Sequence, residues 1–267
     1  MDAMSSPWFV RLLNSLGRSG CIIIVMHRFA SEHGVHSGHD PAALRLLLST
    51  LRNLGVSLID VDQAVRLYDD ASTSHSPKGL SVAFTVDDGY ADLIEFGAPV
   101  FAEFDCPVSG FVVPQAVERI DWFWWDKLDW VFRHSDCREV VLETSQGRST
   151  VKWSDETSRL SAKALVEATL KQLADESMAS VLERIAQAAQ VAIPSAAPEE
   201  YRVLSWEELR SAEGRGLRFG AHSETHPILS RCSNEKSDHE IIGSVDAVRT
   251  HLQDPVQLFC YPNGTND

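Results

Sequence analysis

The chain has 267 residues, of which 44% are hydrophobic, and it carries 38 acidic against 24 basic side chains, for a net charge of −14 at pH 7. This length and composition exclude a disordered chain and a disulfide-stapled miniprotein, because such a chain can bury a large core by itself. The acidic balance disfavours partners that need basic patches, namely nucleic-acid backbones and anionic lipid surfaces. We therefore expect no nucleic-acid partner. The negative charge is more compatible with a neutral or cationic small partner.

The cysteines and the N-terminal segment bear on cellular location. The chain has five scattered cysteines and no CxxC pair, and the odd count argues against a disulfide framework. The first twenty residues lack a long apolar stretch after a basic start, which favours a short amphipathic helix over a signal peptide. The apolar run from Cys21 to Met26 is too short to span a bilayer. We expect a cytoplasmic protein without a membrane span.

The first half of the chain alternates between predicted strands and helices. An apolar strand covers 21–28, and its unbroken hydrophobic run is typical of strands buried on both faces of a parallel sheet. Asp40 predicts a helix N-cap, with Pro41 at the first helical position and the end at Gly55. The same half continues with strands at 56–61, 80–89 and 107–113 and with helices at 62–68 and about 90–104. This alternation predicts parallel βα units in an open sheet or a barrel.

The middle of the chain breaks this pattern. A helix rich in aromatic residues is predicted over 122–132, a hairpin turns at Gln146-Gly147, and two helices are predicted within 156–192. We interpret 133–200 as an insertion between barrel elements, so that 1–267 form a single domain. The pattern then resumes with a helix capped by Ser205 and Glu208, a strand at 217–221, a helix near 235–252 and a last strand at 256–262.

Two adjacent carboxylates, Asp87 and Asp88, end the third predicted strand. In parallel βα folds, active residues gather at the carboxyl ends of the strands. Neighbouring side chains at a strand end point to different sides, so one carboxylate can face a metal and the other a nucleophile. By itself the pair is also consistent with an ordinary helix cap at a βα turn.

His222 and His226 follow the strand predicted at 217–221. Their spacing of four residues places both rings on the same side of one helical turn. Two imidazoles and one carboxylate make an open three-ligand site for a divalent transition metal. Alone, the two histidines could be solvated loop residues; together with a carboxylate pair at another strand end, they favour a metal site.

These motifs resemble those of the polysaccharide deacetylases of carbohydrate esterase family 4. Five features occur in the family's order: Met26-His-Arg28, Thr85-Val-Asp-Asp-Gly89 for the motif TFDDG, Trp206-Glu-Glu-Leu209, His222-Ser-Glu-Thr-His226 for HSxxH, and Phe259-Cys-Tyr-Pro-Asn-Gly264 for FxYPxG. The resemblance covers residues 21–264 and implies a distorted (β/α) barrel.

The resemblance also implies roles for individual residues. Asp88, His222 and His226 are the implied metal ligands, with zinc as the usual ion and cobalt or nickel as alternatives. Asp87 is the implied catalytic base, and the backbone N–H of Tyr90 is part of the oxyanion hole. Residues expected to contact the substrate are Tyr261, Pro262, Asn263, His27 and Trp125.

The implied reaction is the hydrolysis of an N-acetyl group, or less readily an O-acetyl group, on a sugar in a polysaccharide or glycan intermediate. A divalent metal would lower the pKa of a bound water and polarise the acetyl carbonyl. Asp87 would accept the proton of the attacking water, and an N–H donor would stabilise the oxyanion. The products would be acetate and a free amine.

Two departures from the family pattern leave alternatives open. Family members continue into further strands, one of which bears a general-acid histidine that no segment here matches, so we expect an incomplete or open barrel. Cys260 stands where many members have an arginine that tunes the base. The alternatives are a catalytically inactive carbohydrate-binding protein, or a metal-dependent amidohydrolase for small cyclic amides with a closed pocket.

Overall fold

The structure, a computed structural model, describes residues 20–30, 38–70, 79–144, 147–173 and 175–264. The predicted N-terminal helix and Gln146 of the predicted turn lie outside these ranges. The strands are β1 (Gly20–Met26), β2 (Ser57–Ile59), β3 (Leu80–Val86), β4 (Val108–Val112), β5 (Glu139–Thr144), β6 (Gly147–Lys152) and β7 (Leu217–Ala221).

Five of these strands form one parallel sheet, as the alternating pattern predicts. β3 pairs with β1 along its whole length, and on its other side with β2 and then β4; β4 in turn pairs with β7. Because all four pairings are parallel, the carboxyl ends of β3, β4 and β7 lie at the same edge of the sheet. The fold is therefore of the predicted α/β class.

The helices cover the sheet and form most of the middle of the chain. They are α1 (Pro41–Asn53), α2 (Val61–Asp70), α3 (Ala98–Ala102), α4 (Pro114–Val117), α5 (Trp124–His134), α6 (Glu156–Leu170), α7 (Asp175–Ala188), α8 (Trp206–Ala212) and α9 (Asn234–His251). The predicted caps are present: the Asp40 side chain accepts from the Ala42 N–H, and Ser205 and Glu208 form a capping box. In the described ranges, no helix has the length and apolar character that crossing a bilayer requires.

The prediction that the first strand is buried on both faces is wrong. Within the described residues β1 pairs only with β3, and its side chains Ile22, Ile23 and Val25 are 50%, 46% and 52% exposed. An apolar run is typical of central parallel strands, but composition alone does not distinguish a central strand from an outer one. β1 is an outer strand of the sheet as described.

The last predicted strand, 256–262, is also wrong. The segment makes one isolated parallel bridge, between Phe259 and Ala221, and donates two backbone N–H groups to β7. Its ladder stops at Cys260, whose carbonyl accepts from a histidine side chain, and Pro262 has no N–H to donate. The helix predicted near 90–104 is likewise shorter, and consists of a π-helical turn at Leu93–Gly97 followed by α3.

The middle of the chain has its own hydrophobic core. β5 and β6 form the predicted antiparallel hairpin, and α6 and α7 are the two predicted helices. Val166, Leu170 and Ile185 are fully buried in this cluster. Helix α5 connects the two cores, because Leu128 packs in the middle cluster while Trp125 packs against the core around the sheet. α5 thus holds the middle region beside the carboxyl edge of the sheet.

Candidate active site

The carboxylates and histidines converge at the carboxyl edge of the sheet. Asp87 and Asp88 follow β3, and His222 follows β7, where its backbone N–H donates to Val112 at the end of β4. Asp88 Oδ1 lies 3.7 Å from His222 Nε2 and 3.4 Å from His226 Nε2, and the two Nε2 atoms are 3.2 Å apart. All three side chains are buried.

The donor atoms of this cluster are suited to binding a divalent cation, and not to hydrogen bonding with one another. His222 Nδ1 lies 2.9 Å from the Cys260 carbonyl oxygen, which only accepts, so Nδ1 carries the proton and Nε2 presents a lone pair. Asp88 Oδ1 is buried and has no hydrogen-bond partner in the described part of the chain. Lone pairs this close repel each other unless a cation lies between them. Two imidazoles and one carboxylate are a donor set that suits zinc and related ions.

Burial favours the uncharged form of each of these three groups. It lowers the pKa of His222 to about 4, although the bond to the Cys260 carbonyl partly opposes this shift, and it lowers the pKa of His226 well below its ordinary value. Both imidazoles are therefore neutral at pH 7, which is the form that binds metals. Burial and the neighbouring charge of Asp87 raise the pKa of Asp88 well above its usual range. A divalent cation would reverse that cost.

The backbone at the cluster adopts an unfavourable conformation. Asp88, Ser223 and His226 have φ angles of 71°, 62° and 61°, in the left-handed region that non-glycine residues rarely occupy. Such conformations persist only where the surroundings hold them, and they concentrate at functional sites. Here the Ser223 hydroxyl accepts the His226 N–H at 3.1 Å. This local bond contributes to holding the loop in place.

A buried carboxylate on α9 supports the same loop. Glu240 is 2% exposed, and it accepts hydrogen bonds from the backbone N–H and the hydroxyl of Thr225 at 2.8 and 2.6 Å. Thr225 directly precedes His226. No sequence motif contains Glu240, and the face of α9 that it shares with Ser244 and Val248 gives no clear apolar pattern by which it could have been predicted.

Asp87 has the surroundings expected of a proton acceptor. It is buried, and burial raises its pKa to about 6, while a hydrogen bond from the Cys260 thiol acts in the opposite direction. Its Oδ2 accepts from Cys260 Sγ at 3.5 Å and lies 4.0 Å from His27 Nε2. Its Oδ1 is buried with no partner among the described residues. One oxygen is thus held and the other is free to take a proton.

Tyr90 joins the site through its backbone and its side chain. Tyr90 pairs with Val203 in an isolated antiparallel bridge, whose two hydrogen bonds are donated by the N–H groups of Ala91 and Leu204. The Tyr90 N–H is therefore not used by this bridge. The Tyr90 hydroxyl donates to Asp126 at 2.6 Å and accepts from Trp125 Nε1 at 2.9 Å. Burial raises the pKa of Asp126 to about 7, although the Tyr90 bond opposes the shift. Asp126 lies outside the residues for which the sequence predicts a role.

Trp125 contacts both the core and a proposed metal ligand. Its ring stacks on Phe123 at a centroid distance of 4.4 Å and meets the His226 ring at 4.7 Å. It is half-buried and lines the cavity described below. Its position is compatible with the predicted substrate contact, and it also restricts the orientation of His226.

A cavity of about 960 Å³ opens over these residues. Of the predicted substrate contacts, four line it: His27, Trp125, Tyr261 and Asn263. Pro262 is buried and is not among the described lining residues. The opposite wall comes from α5 and α6, whose lining residues include Asp129, Arg159 and Lys163. This contribution of the middle region to the cavity was not predicted from the sequence.

Comparisons with known proteins identify the family of the chain and its fold. The family model for polysaccharide deacetylase matches residues 74–267. The fold is similar to Streptococcus pyogenes deacetylase PplD in complex with acetate, with a TM-score of 0.54 and 13% identity over 92% of this chain and 74% of that one. It is also similar to IcaB from Ammonifex degensii, with a TM-score of 0.53 and 16% identity over 93% and 76% of the chains. No curated protein sequence matches the chain significantly.

Proposed function

The chain belongs to the polysaccharide deacetylase family, and from that premise we propose that its site removes the N-acetyl group of an amino sugar within a glycan, with zinc as the resident metal. The observation that carries the proposal is the convergence of Asp88, His222 and His226 beside a carboxylate with a free oxygen, Asp87 Oδ1. These three residues would hold the ion. When bound, it supplies Lewis-acid polarisation of the acetyl carbonyl and lowers the pKa of a water.

Residues of the protein carry out the proton transfer and stabilise the charge on the carbonyl oxygen. Asp87 Oδ1 accepts a proton from the water as its oxygen bonds to the acetyl carbon. The Tyr90 N–H donates to the carbonyl oxygen, where negative charge develops. The carbon–nitrogen bond then breaks, and the amine leaves with a proton. Acetate and a free amino sugar are the products, and an O-acetyl group would be cleaved by the same residues.

His27 is our proposed proton donor to the leaving amine. Its Nε2 lies 4.0 Å from Asp87 Oδ2, its side chain is 54% exposed, and it lines the cavity. Burial, and then the neighbouring His39, lower its pKa, so His27 is neutral at pH 7 and would first take up a proton, for which the Asp87 carboxyl lies 4.0 Å away. His222 and His226, by contrast, present their Nε2 atoms to Asp88. His27 would therefore take the role for which the sequence offers no matching histidine motif.

The size of the cavity favours an extended substrate over a small cyclic amide. About 960 Å³ lies at the upper end of the roughly 300–1,000 Å³ typical of ligand pockets. The wall from α5 and α6 extends the cavity beyond the metal ligands, where further sugar units would lie. The small-amide alternative needs only the inner part.

Acetate release from N-acetylated oligosaccharides, with and without added zinc, tests the proposal. We expect metal-dependent release, which a chelator abolishes and added metal restores. No release from any such oligosaccharide by protein with one bound zinc per chain would overturn it and would favour the inactive carbohydrate-binding alternative.

We also propose a cytoplasmic location, which the cysteines support. Four of them, Cys21, Cys106, Cys137 and Cys260, form no disulfide among the described residues. Fractionation of cells that express the chain at native levels, with immunodetection, tests this proposal. Recovery in the exported fraction would contradict it.

A further inference from the structure

We infer that Cys260 is a positioning residue for the base, and that its thiol holds Asp87 Oδ2 so that Oδ1 is presented to the water. This inference rests on the proposed function, since it concerns the base of that reaction. Many family members have at this position an arginine that tunes the base, and the resemblance leaves open what a cysteine does there.

The position of Cys260 follows from how its segment is attached to β7. The Val256 N–H donates to the Phe219 carbonyl at 2.9 Å, and the Cys260 N–H donates to the Ala221 carbonyl at 3.0 Å. These bonds, with the bridge between Phe259 and Ala221, hold the segment alongside β7. Cys260 therefore lies at the end of β7 and beside the residues that follow β3.

Two different groups of Cys260 contact two different site residues. Its backbone carbonyl accepts from His222 Nδ1 at 2.9 Å, and its thiol donates to Asp87 Oδ2 at 3.5 Å. A thiol is protonated at neutral pH, so it can donate to a carboxylate, although as a weak donor. The thiol can thus be removed by substitution while the carbonyl that orients His222 remains.

The thiol contact decides which oxygen of Asp87 is available. Oδ2 has the Cys260 contact, whereas Oδ1 is buried and has no partner in the described residues. Without the thiol, Oδ2 would lose the hydrogen bond that holds it, and the carboxylate could rotate. The expected loss is in the chemical step, because the thiol's hydrogen bond is to the base, Asp87, and not to a residue of the Asp88, His222 and His226 cluster.

A competing interpretation makes Cys260 a metal ligand. Donor atoms of Asp87, His222 and Cys260 also lie within 4.8 Å of one another. His222 belongs to both groups, so one ion could use either. In cobalt-loaded protein, a thiolate ligand gives a near-ultraviolet charge-transfer band, and a positioning thiol gives none.

Two substitutions and one control test the inference. We expect Cys260→Ala to lower kcat about tenfold with KM and zinc affinity unchanged, and Cys260→Ser to stay within about threefold of the wild type because its hydroxyl still donates. The control is Cys137→Ala in the middle region, which we expect to behave as the wild type. Unchanged kcat in Cys260→Ala, or lost zinc binding together with a thiolate–cobalt band in the wild type, would overturn the inference.

Crystal structures separate this inference from the proposed function. We expect the Asp87 carboxylate to keep its orientation in zinc-loaded Cys260→Ser and to rotate or become disordered in Cys260→Ala. An unchanged Asp87 in Cys260→Ala contradicts the positioning role even if no acetylated substrate is found. Absence of activity in the wild type, with the expected Asp87 change, contradicts only the proposed function.

Discussion

The carboxylate of Glu240 accepts two hydrogen bonds from Thr225, one from its backbone N–H at 2.8 Å and one from its hydroxyl at 2.6 Å. Helix α9 thereby holds the loop that carries His226, in which two residues have positive φ. Buried groups that orient metal ligands typically affect metal affinity by 10–100-fold. Glu240 has this position in the structure.

Replacing Glu240 should weaken metal binding. Glu240→Leu fills a similar volume but removes the acceptor of the Thr225 N–H and hydroxyl, so we expect zinc affinity to fall at least about tenfold by calorimetry. Glu240→Gln keeps an acceptor for that N–H and should retain most of the affinity. The control is Glu235→Gln, an exposed residue of the same helix. Equal zinc affinity in Glu240→Leu and the wild type would refute the role.

Metal should stabilise the folded chain through the three ligands. A ligand at a hundred times its Kd adds about 2.7 kcal/mol to the free energy of unfolding. For a chain of this size that corresponds to roughly 5–10 °C in Tm. We expect zinc to raise the Tm of the wild type by this order and to leave the Tm of His226→Ala unchanged. Scanning fluorimetry measures both, and a full zinc shift in His226→Ala would exclude His226 as a ligand.

The buried carboxyl of Asp126 should make stability depend on pH. Its pKa is about 7 in the folded chain, mainly because of burial, against about 3.9 when unfolded. Between these values the folded chain binds more protons than the unfolded chain, so stability falls as pH rises. We expect Asp126→Asn to gain a few kcal/mol over the wild type at pH 8 relative to pH 4, measured by urea unfolding. The control Asp136→Asn, an exposed residue, should follow the wild-type profile. A pH-independent difference for Asp126→Asn would contradict the account.

His27 should affect the chemical step and leave metal binding intact. We expect His27→Gln to lower kcat about 100-fold, within the range for loss of a general acid or base, with zinc content unchanged. KM should change little, since the glutamine still lines the cavity. Steady-state acetate release and metal analysis give these values. A kcat within twofold of the wild type would show that a residue other than His27 donates the proton.

The site ligands were predictable from sequence because parallel strands place their carboxyl ends together. Asp88 and His222 are 134 positions apart, yet β3 and β7 both pair with β4 and end at the same edge. The helical turn expected from the spacing of His222 and His226 is wrong, since the segment is a loop with positive φ at Ser223 and His226, but this loop also brings the two rings together. Motif and topology together were therefore sufficient to predict this cluster.

The features missed or wrongly predicted depend on packing between distant segments. The exposure of β1 depends on which strands flank it, and the apolar sequence of β1 does not indicate which strands these are. The strand predicted at 256–262 stops at a single bridge because the Cys260 carbonyl bonds a side chain. Glu240, Asp126 and the wall from α6 lie outside every motif, and only the folded chain brings them to the site.

Metal content and acetate release, measured together on zinc-loaded Asp87→Asn and wild type, test most directly that Asp87 is the base beside a metal held by its neighbours. The account predicts one zinc per chain in both proteins, and acetate release reduced at least about 100-fold in Asp87→Asn. Wild-type release by Asp87→Asn, or loss of its zinc, would contradict it.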